Sequence, residues 1–104
     1  MRFFFENSCV KKQFAKLKKQ EQERVERKLV FWFSQKNPLD FATQMVGFSP
    51  PLFRFRIGYL RVCGRKINND FIILLIGRRD QIYRKLFNPK LIQPKKFNIT
   101  SKIL

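Results

Sequence analysis

The sequence predicts an α+β domain in which helices pack on one face of a small antiparallel sheet. Two features of the apolar pattern lead there. Before Asn37 the apolar residues recur at the three- and four-residue spacing of amphipathic helices, and after Ser49-Pro50-Pro51 they alternate with period two. A chain of 104 residues fits one compact domain, so both patterns must share a core. Helical segments followed by a run of strands are the order expected of α+β rather than of alternating α/β architecture.

Taken in order, Phe3 to Phe5 have good strand propensity and suggest a short opening strand. Asn7 and Ser8 follow, either of which can cap a helix. Val10, Phe14 and Leu17 then mark one face of an amphipathic helix whose other face is lysine-rich. A second helical pattern runs through Val25, Leu29, Trp32 and Phe33, with Glu21, Glu23 and Glu26 early and Lys28 later, as the helix dipole favours. No Gly or Pro separates the two patterns, so a hairpin near Lys19 and Gln20 and a single bent helix both fit. Asn37-Pro38 ends the helical region, because proline disfavours helical geometry in the residue before it. Leu39 to Met45 is ambiguous and compatible with a short helical turn.

Beyond the Pro-Pro loop, Phe53, Phe55 and Ile57 share one strand face and Arg54 and Arg56 the other. A turn at Gly58 leads to a second strand, Leu60 to Ile67, in which Arg61, Cys63 and Arg65 alternate with Leu60, Val62 and Gly64. Asn68-Asn69-Asp70 is a turn, and Phe71 to Ile76 is an unbroken apolar run expected of a strand covered on both faces, ended by Gly77. Elsewhere one sheet face is expected to stay open. After Tyr83 the chain turns basic and is interrupted by Pro89 and Pro94, which predicts a short helix or a flexible tail. The expected division is a domain over residues 1–86 and a basic tail over 87–104.

Twenty-three Lys and Arg against seven Asp and Glu give a formal charge of +16, which points to a polyanion or an acidic partner, nucleic acid first. Thirteen phenylalanines and 44% apolar residues supply a core despite that charge and argue against disorder of the whole chain. Cys9 and Cys63 are far apart and the chain has no histidine, so no zinc site can be assembled and both cysteines read as small buried hydrophobes. No apolar run approaches the ~18 residues needed to span a membrane. The expectation is a cytoplasmic protein without metal or cofactor.

The chemistry-bearing residues are basic. Arg54 and Arg56 lie opposite the phenylalanines, Arg61 and Arg65 fall on a neighbouring strand, and Arg78 and Arg79 follow the apolar strand. Guanidinium groups bind phosphate through paired hydrogen bonds at every physiological pH, so a sheet face lined with them suits a nucleic-acid backbone. An ordinary solvated strand face would show the same alternation.

From Phe53 to Tyr83 the sequence FRFRIGYLRVCGRKINNDFIILLIGRRDQIY resembles the second half of RelE/ParE superfamily toxins. The shared features are a basic strand, a Gly hairpin leading to Arg-Val, an acidic turn, an apolar strand, then Gly, two basic positions and a late Tyr. Upstream, Asn7 to Phe33 matches the family's helical hairpin in place and character alone. The resemblance implies a RelE-like sheet with an N-terminal helical hairpin on one face. It also implies binding in the ribosomal A site and cleavage of messenger RNA by attack of the ribose 2′-hydroxyl. Arg61, Arg79 and Tyr83 fall on the catalytic positions, while Arg54 and Arg56, with Arg65 and Arg78 nearby, would hold RNA. Leu60 stands where relatives carry a tyrosine, Tyr59 lies one position earlier, and Arg78 replaces a frequent histidine. An acidic antitoxin is the implied protein partner. Other readings are a ParE-like inhibitor of DNA gyrase, which would not need the full basic and tyrosine set, and a noncatalytic basic protein that binds RNA or the ribosome.

Overall fold

A computed structural model describes residues 1–86; the expected tail lies outside them. The elements are β1 (Arg2–Phe5), α1 (Ser8–Ala15), α2 (Lys19–Phe33), a 3₁₀ turn (Pro38–Phe41), β2 (Thr43–Met45), β3 (Leu52–Ile57), β4 (Leu60–Ile67), β5 (Asp70–Arg78) and α3 (Arg79–Leu86). The α+β class holds. The five strands form one sheet in the order β1-β5-β4-β3-β2, with β1 parallel to β5 and the other pairs antiparallel. The sheet is therefore mixed, not antiparallel as expected. Two helices separate β1 from the later strands, and that is enough chain to bring β1 back alongside β5 in parallel.

Asn7 caps α1, its Oδ1 accepting from the Val10 N–H at 3.2 Å. The break between helices falls at residues 16–18, just before the Lys19-Gln20 position read from sequence. There the Gln22 amide donates to the carbonyls of Phe14, Ala15 and Leu17, each at 3.2 Å, satisfying acceptors that the end of α1 would leave bare. Glu21 Oε1 accepts from the Lys18 N–H at 2.9 Å and opens α2.

The expected N-terminal helical hairpin does not form. Instead α1 lies mainly against β5, and α2 reaches β3 and the 3₁₀ turn. Each helix has one apolar stripe and spends it on the sheet: Val10, Val25, Leu29, Trp32 and Phe33 join Phe55, Val62, Phe71 and Ile73 in one cluster. Phe55 is its centre, stacked 4.9 Å from Trp32, edge-on to Phe71 at 5.4 Å and tilted against Phe33 at 5.5 Å.

The second sheet face is not open either. Ile82 and Leu86 of α3 cover it, packing on Leu52, Cys63, Ile72, Leu74 and Leu75. A β-bulge explains how two consecutive leucines serve one face. Cys63 pairs with Leu75 and Gly64 with Ile73, so Leu74 has no opposite residue and turns to the same side as Leu75. At the bulge, a Cβ on Gly64 would overlap the Ile72 carbonyl oxygen and sit 2.7 Å from the Phe71 ring.

The ambiguous Leu39–Met45 segment divides into the 3₁₀ turn and edge strand β2, and β5 runs through Gly77 to Arg78. Cys63 is buried as expected, whereas Cys9 is exposed on the first turn of α1, where its position off the Val10–Phe14 stripe places it.

Candidate functional site

On the α3 side of the sheet, pairing sets the arginines in a grid. Arg54 lies opposite Cys63 and Arg56 opposite Arg61, so all four side chains share that face. The chain then crosses from β5 into α3, which carries Arg79 and, a helical turn later, Tyr83 back over the same face. Arg54 Nη1 donates to the Tyr83 hydroxyl. The guanidinium carbon of Arg54 lies 5.9 Å from the Tyr83 ring centre and that of Arg79 lies 5.6 Å from it.

Arg61 is 5% exposed and fastened at the hairpin, donating from Nη1 to the carbonyls of Gly58 and Leu60 at 2.8 Å each. Among the described residues, the Nε atoms of Arg54 and Arg61 have no hydrogen-bond acceptor. Buried donors of that kind are costly to leave unmet.

Burial by itself would raise the Tyr83 pKa. The nearby charge of Arg54, hydrogen bonding from Arg61 and Arg79, and the charge of Arg61 outweigh it, and the phenol is held below its ordinary value of 10.0. Beneath the cluster, desolvation pushes the Cys63 thiol up to about 12, against the pull of Arg54 and Arg61, so it stays protonated and unreactive.

Four of the sequence-derived residues, Arg54, Arg61, Arg79 and Tyr83, thus converge. Arg56 stands at the exposed rim beside Arg61. Arg65 is on the same face but 1% exposed, packed into the interior, where desolvation lowers its pKa; it has no surface to offer a ligand in this conformation. Arg78 is elsewhere. It pairs with Leu60, whose side chain belongs to the helix-side cluster, and its guanidinium lies 5.3 Å from the centre of the Tyr59 ring.

Arg78 belongs to a second polar group that the sequence reading did not find. The Tyr59 hydroxyl donates to Glu21 Oε2 at 2.7 Å, which ties the β3–β4 hairpin to the start of α2. Glu21 is buried. Its pKa is lowered first by that bond, then by the Lys18 N–H, against desolvation, with Arg78 and Lys18 assisting. Nothing in the spacing of Glu21 and Tyr59, 38 residues apart, announced the pair.

Among the described residues no group of His, Cys, Asp or Glu could hold a metal ion, and no helix is long and apolar enough to cross a membrane. No protein-family model matches the chain, and no curated protein matches it.

Proposed function

We propose that the protein is a RelE-like toxin, a ribosome-dependent endoribonuclease that cleaves messenger RNA in the A site. The observation that carries this reading is the convergence of one phenol and the guanidinium groups of Arg54, Arg61 and Arg79 on a single patch of sheet and helix. The set suits phosphodiester cleavage without metal or histidine. Tyr83, as phenolate, takes the proton of the ribose 2′-hydroxyl. The 2′-oxygen attacks phosphorus, and the pentavalent intermediate carries charge that Arg61 and Arg79 neutralise, a contribution of up to ~3 kcal/mol for a well-placed donor. Arg79, which stands exposed at the start of α3, assists the departing 5′-oxygen. The P–O5′ bond breaks, the 5′-oxygen takes a proton from water, and the products are a 2′,3′-cyclic phosphate and a 5′-hydroxyl.

Arg54 holds Tyr83 and its charge state, and Arg56 at the rim guides the incoming strand. In this reading the protein works in the cytoplasm and is held inactive by an acidic antitoxin that complements its charge.

The test is to add the protein to translating ribosomes and map messenger 5′ ends. Cuts bearing 5′-hydroxyls are expected. Tyr83→Phe should lower cleavage by roughly 10²-fold or more, the scale of a lost general base. A messenger left intact by the wild-type protein, or cut equally by Tyr83→Phe, would remove the proposal.

A further inference from the structure

A second basic site lies on the other side of α3. Because β1 covers β5 only from Asp70 to Ile73, the edge of β5 beyond it is open. Two glutamines cap its backbone donors: Gln13 Oε1 accepts from the Ile76 N–H at 3.0 Å, and Gln81 Oε1 from the Arg78 N–H at 3.4 Å. With each amide oxygen committed, the –NH₂ donors of both remain without a protein acceptor among the described residues.

Both glutamines line a cavity of about 530 Å³ together with Lys16, Lys18, Arg78 and Arg84. Its one carboxylate, Glu21, is already engaged by the Tyr59 hydroxyl and the Lys18 N–H. Beside the apolar Leu17 and Ile76, the polar groups of the walls are therefore almost all donors or positive charges, which favours an anion. The position of α3 narrows the choice. Gln81 and Arg84 face this cavity while Arg79 and Tyr83 face the arginine cluster, so a single helix of eight residues separates the two sites. A flexible chain of phosphates can lie across that ridge and occupy both; an isolated small anion would use only one.

We propose that the cavity between α1, α2 and the open edge of β5 is a second phosphate subsite, holding the backbone of the same single-stranded RNA a short way from the bond placed at Tyr83. This rests on the endoribonuclease reading for the identity of the strand, but not on cleavage occurring. Gln13 and Gln81 donate to non-bridging oxygens, and Lys16, Arg78 and Arg84 supply charge.

The test uses the full chain and a short single-stranded oligoribonucleotide carrying 2′-O-methyl groups, which cannot be cut by 2′-oxygen attack. Binding is followed by fluorescence anisotropy over a range of salt concentrations. Gln81→Glu keeps the acceptor for the Arg78 N–H and replaces the free amide by a negative oxygen. Gln44→Glu on exposed β2 makes the same charge change far from the cavity. Gln81→Glu should weaken binding several-fold more than Gln44→Glu and flatten the plot of log affinity against log salt by ~0.7, the value of one single-strand phosphate contact. Arg84→Gln, at a helix position whose one ion pair among the described residues is with Asp80 at 3.8 Å, should do likewise and serves if Gln81→Glu is poorly folded. Equal behaviour of the cavity and control variants would overturn the proposal, as would no RNA binding by the wild type. If oligoglutamate binds and is lost in Gln81→Glu while RNA binding is unchanged, the subsite belongs to an acidic protein segment and the proposal fails. Cleavage is measured separately on ribosomes, so loss of the nuclease reading would show there and not in this assay.

Discussion

At the scale of single residues, the two tyrosines are tuned in opposite directions by what they touch. Tyr83 faces guanidinium groups and its pKa falls, despite the burial that opposes the change. A general base acts only when deprotonated, so in the proposed endoribonuclease cleavage should rise with pH through a value below the ordinary phenol range. Replacing Arg54 by Ala removes the largest lowering influence, and the rise in a pH–rate profile should then move to higher pH; a profile that stays in place would deny Tyr83 that role. Tyr59 faces Glu21, which raises its pKa first through their hydrogen bond and lowers that of Glu21 through the same bond. The carboxylate side contributes stability above the unfolded carboxyl value near 4.5, lost as pH falls through the lower folded value. The phenol side contributes below the unfolded value of 10.0, lost as pH rises through the higher folded one. Tyr59→Phe should therefore be less stable than wild type near neutrality in denaturant titrations, with the gap closing in acid and again in strong alkali. A gap of constant size across that range would show the bond to be without weight. The resemblance singled out Tyr83 as the late tyrosine after Gly77, but Tyr59 only as a residue displaced by one position, because its partner lies in another element.

Elements were legible wherever one strong pattern decided them. Alternation gave both β3 and β4, the second with its observed limits, since a half-buried strand has only one way to bury Phe55 and Val62 together. Leu39–Met45 stayed ambiguous because edge strand β2 has only three residues and draws its order from pairing with β3. Glycine is a poor strand former, yet the structure gives Gly64 a purpose. It lets the Ile72 backbone and the Phe71 ring close on β4 at the bulge that points both Leu74 and Leu75 toward α3. Gly64→Ala should then cost about 2 kcal/mol or more, within the range for overpacked cores, despite the better strand propensity of alanine. Equilibrium unfolding in urea checks this, and a neutral or stabilising result would mean that the bulge relaxes freely. Because α3 carries Tyr83 on that bulge-supported surface, under the proposed function the same variant should lose cleavage more steeply than its stability alone requires.

For the whole molecule, charge and topology act together. A charge of +16 on a chain this short repels itself in the folded state, and any polyanion that binds the native surface relieves the repulsion and stabilises by mass action. Added heparin should accordingly raise the thermal midpoint at low salt, and the increment should vanish near 1 M salt, where the screening length is ~3 Å. An increment insensitive to salt would point to a nonelectrostatic contact. Sequence by itself determined the α+β class, the limits of β4, the basic character and the strand face that Arg54 and Arg56 share, because each follows from local period or composition. Only tertiary structure decided that β1 runs parallel to β5, that the two N-terminal helices lie on the sheet separately, and that α3 closes the second face. Only it could send Arg78 to one side of the sheet, bury Arg65 and gather Arg54 with Tyr83, 29 residues away. Side-chain direction along a strand is fixed by the pleat, but which face meets a helix depends on the return path of the whole chain, and no local pattern encodes that path.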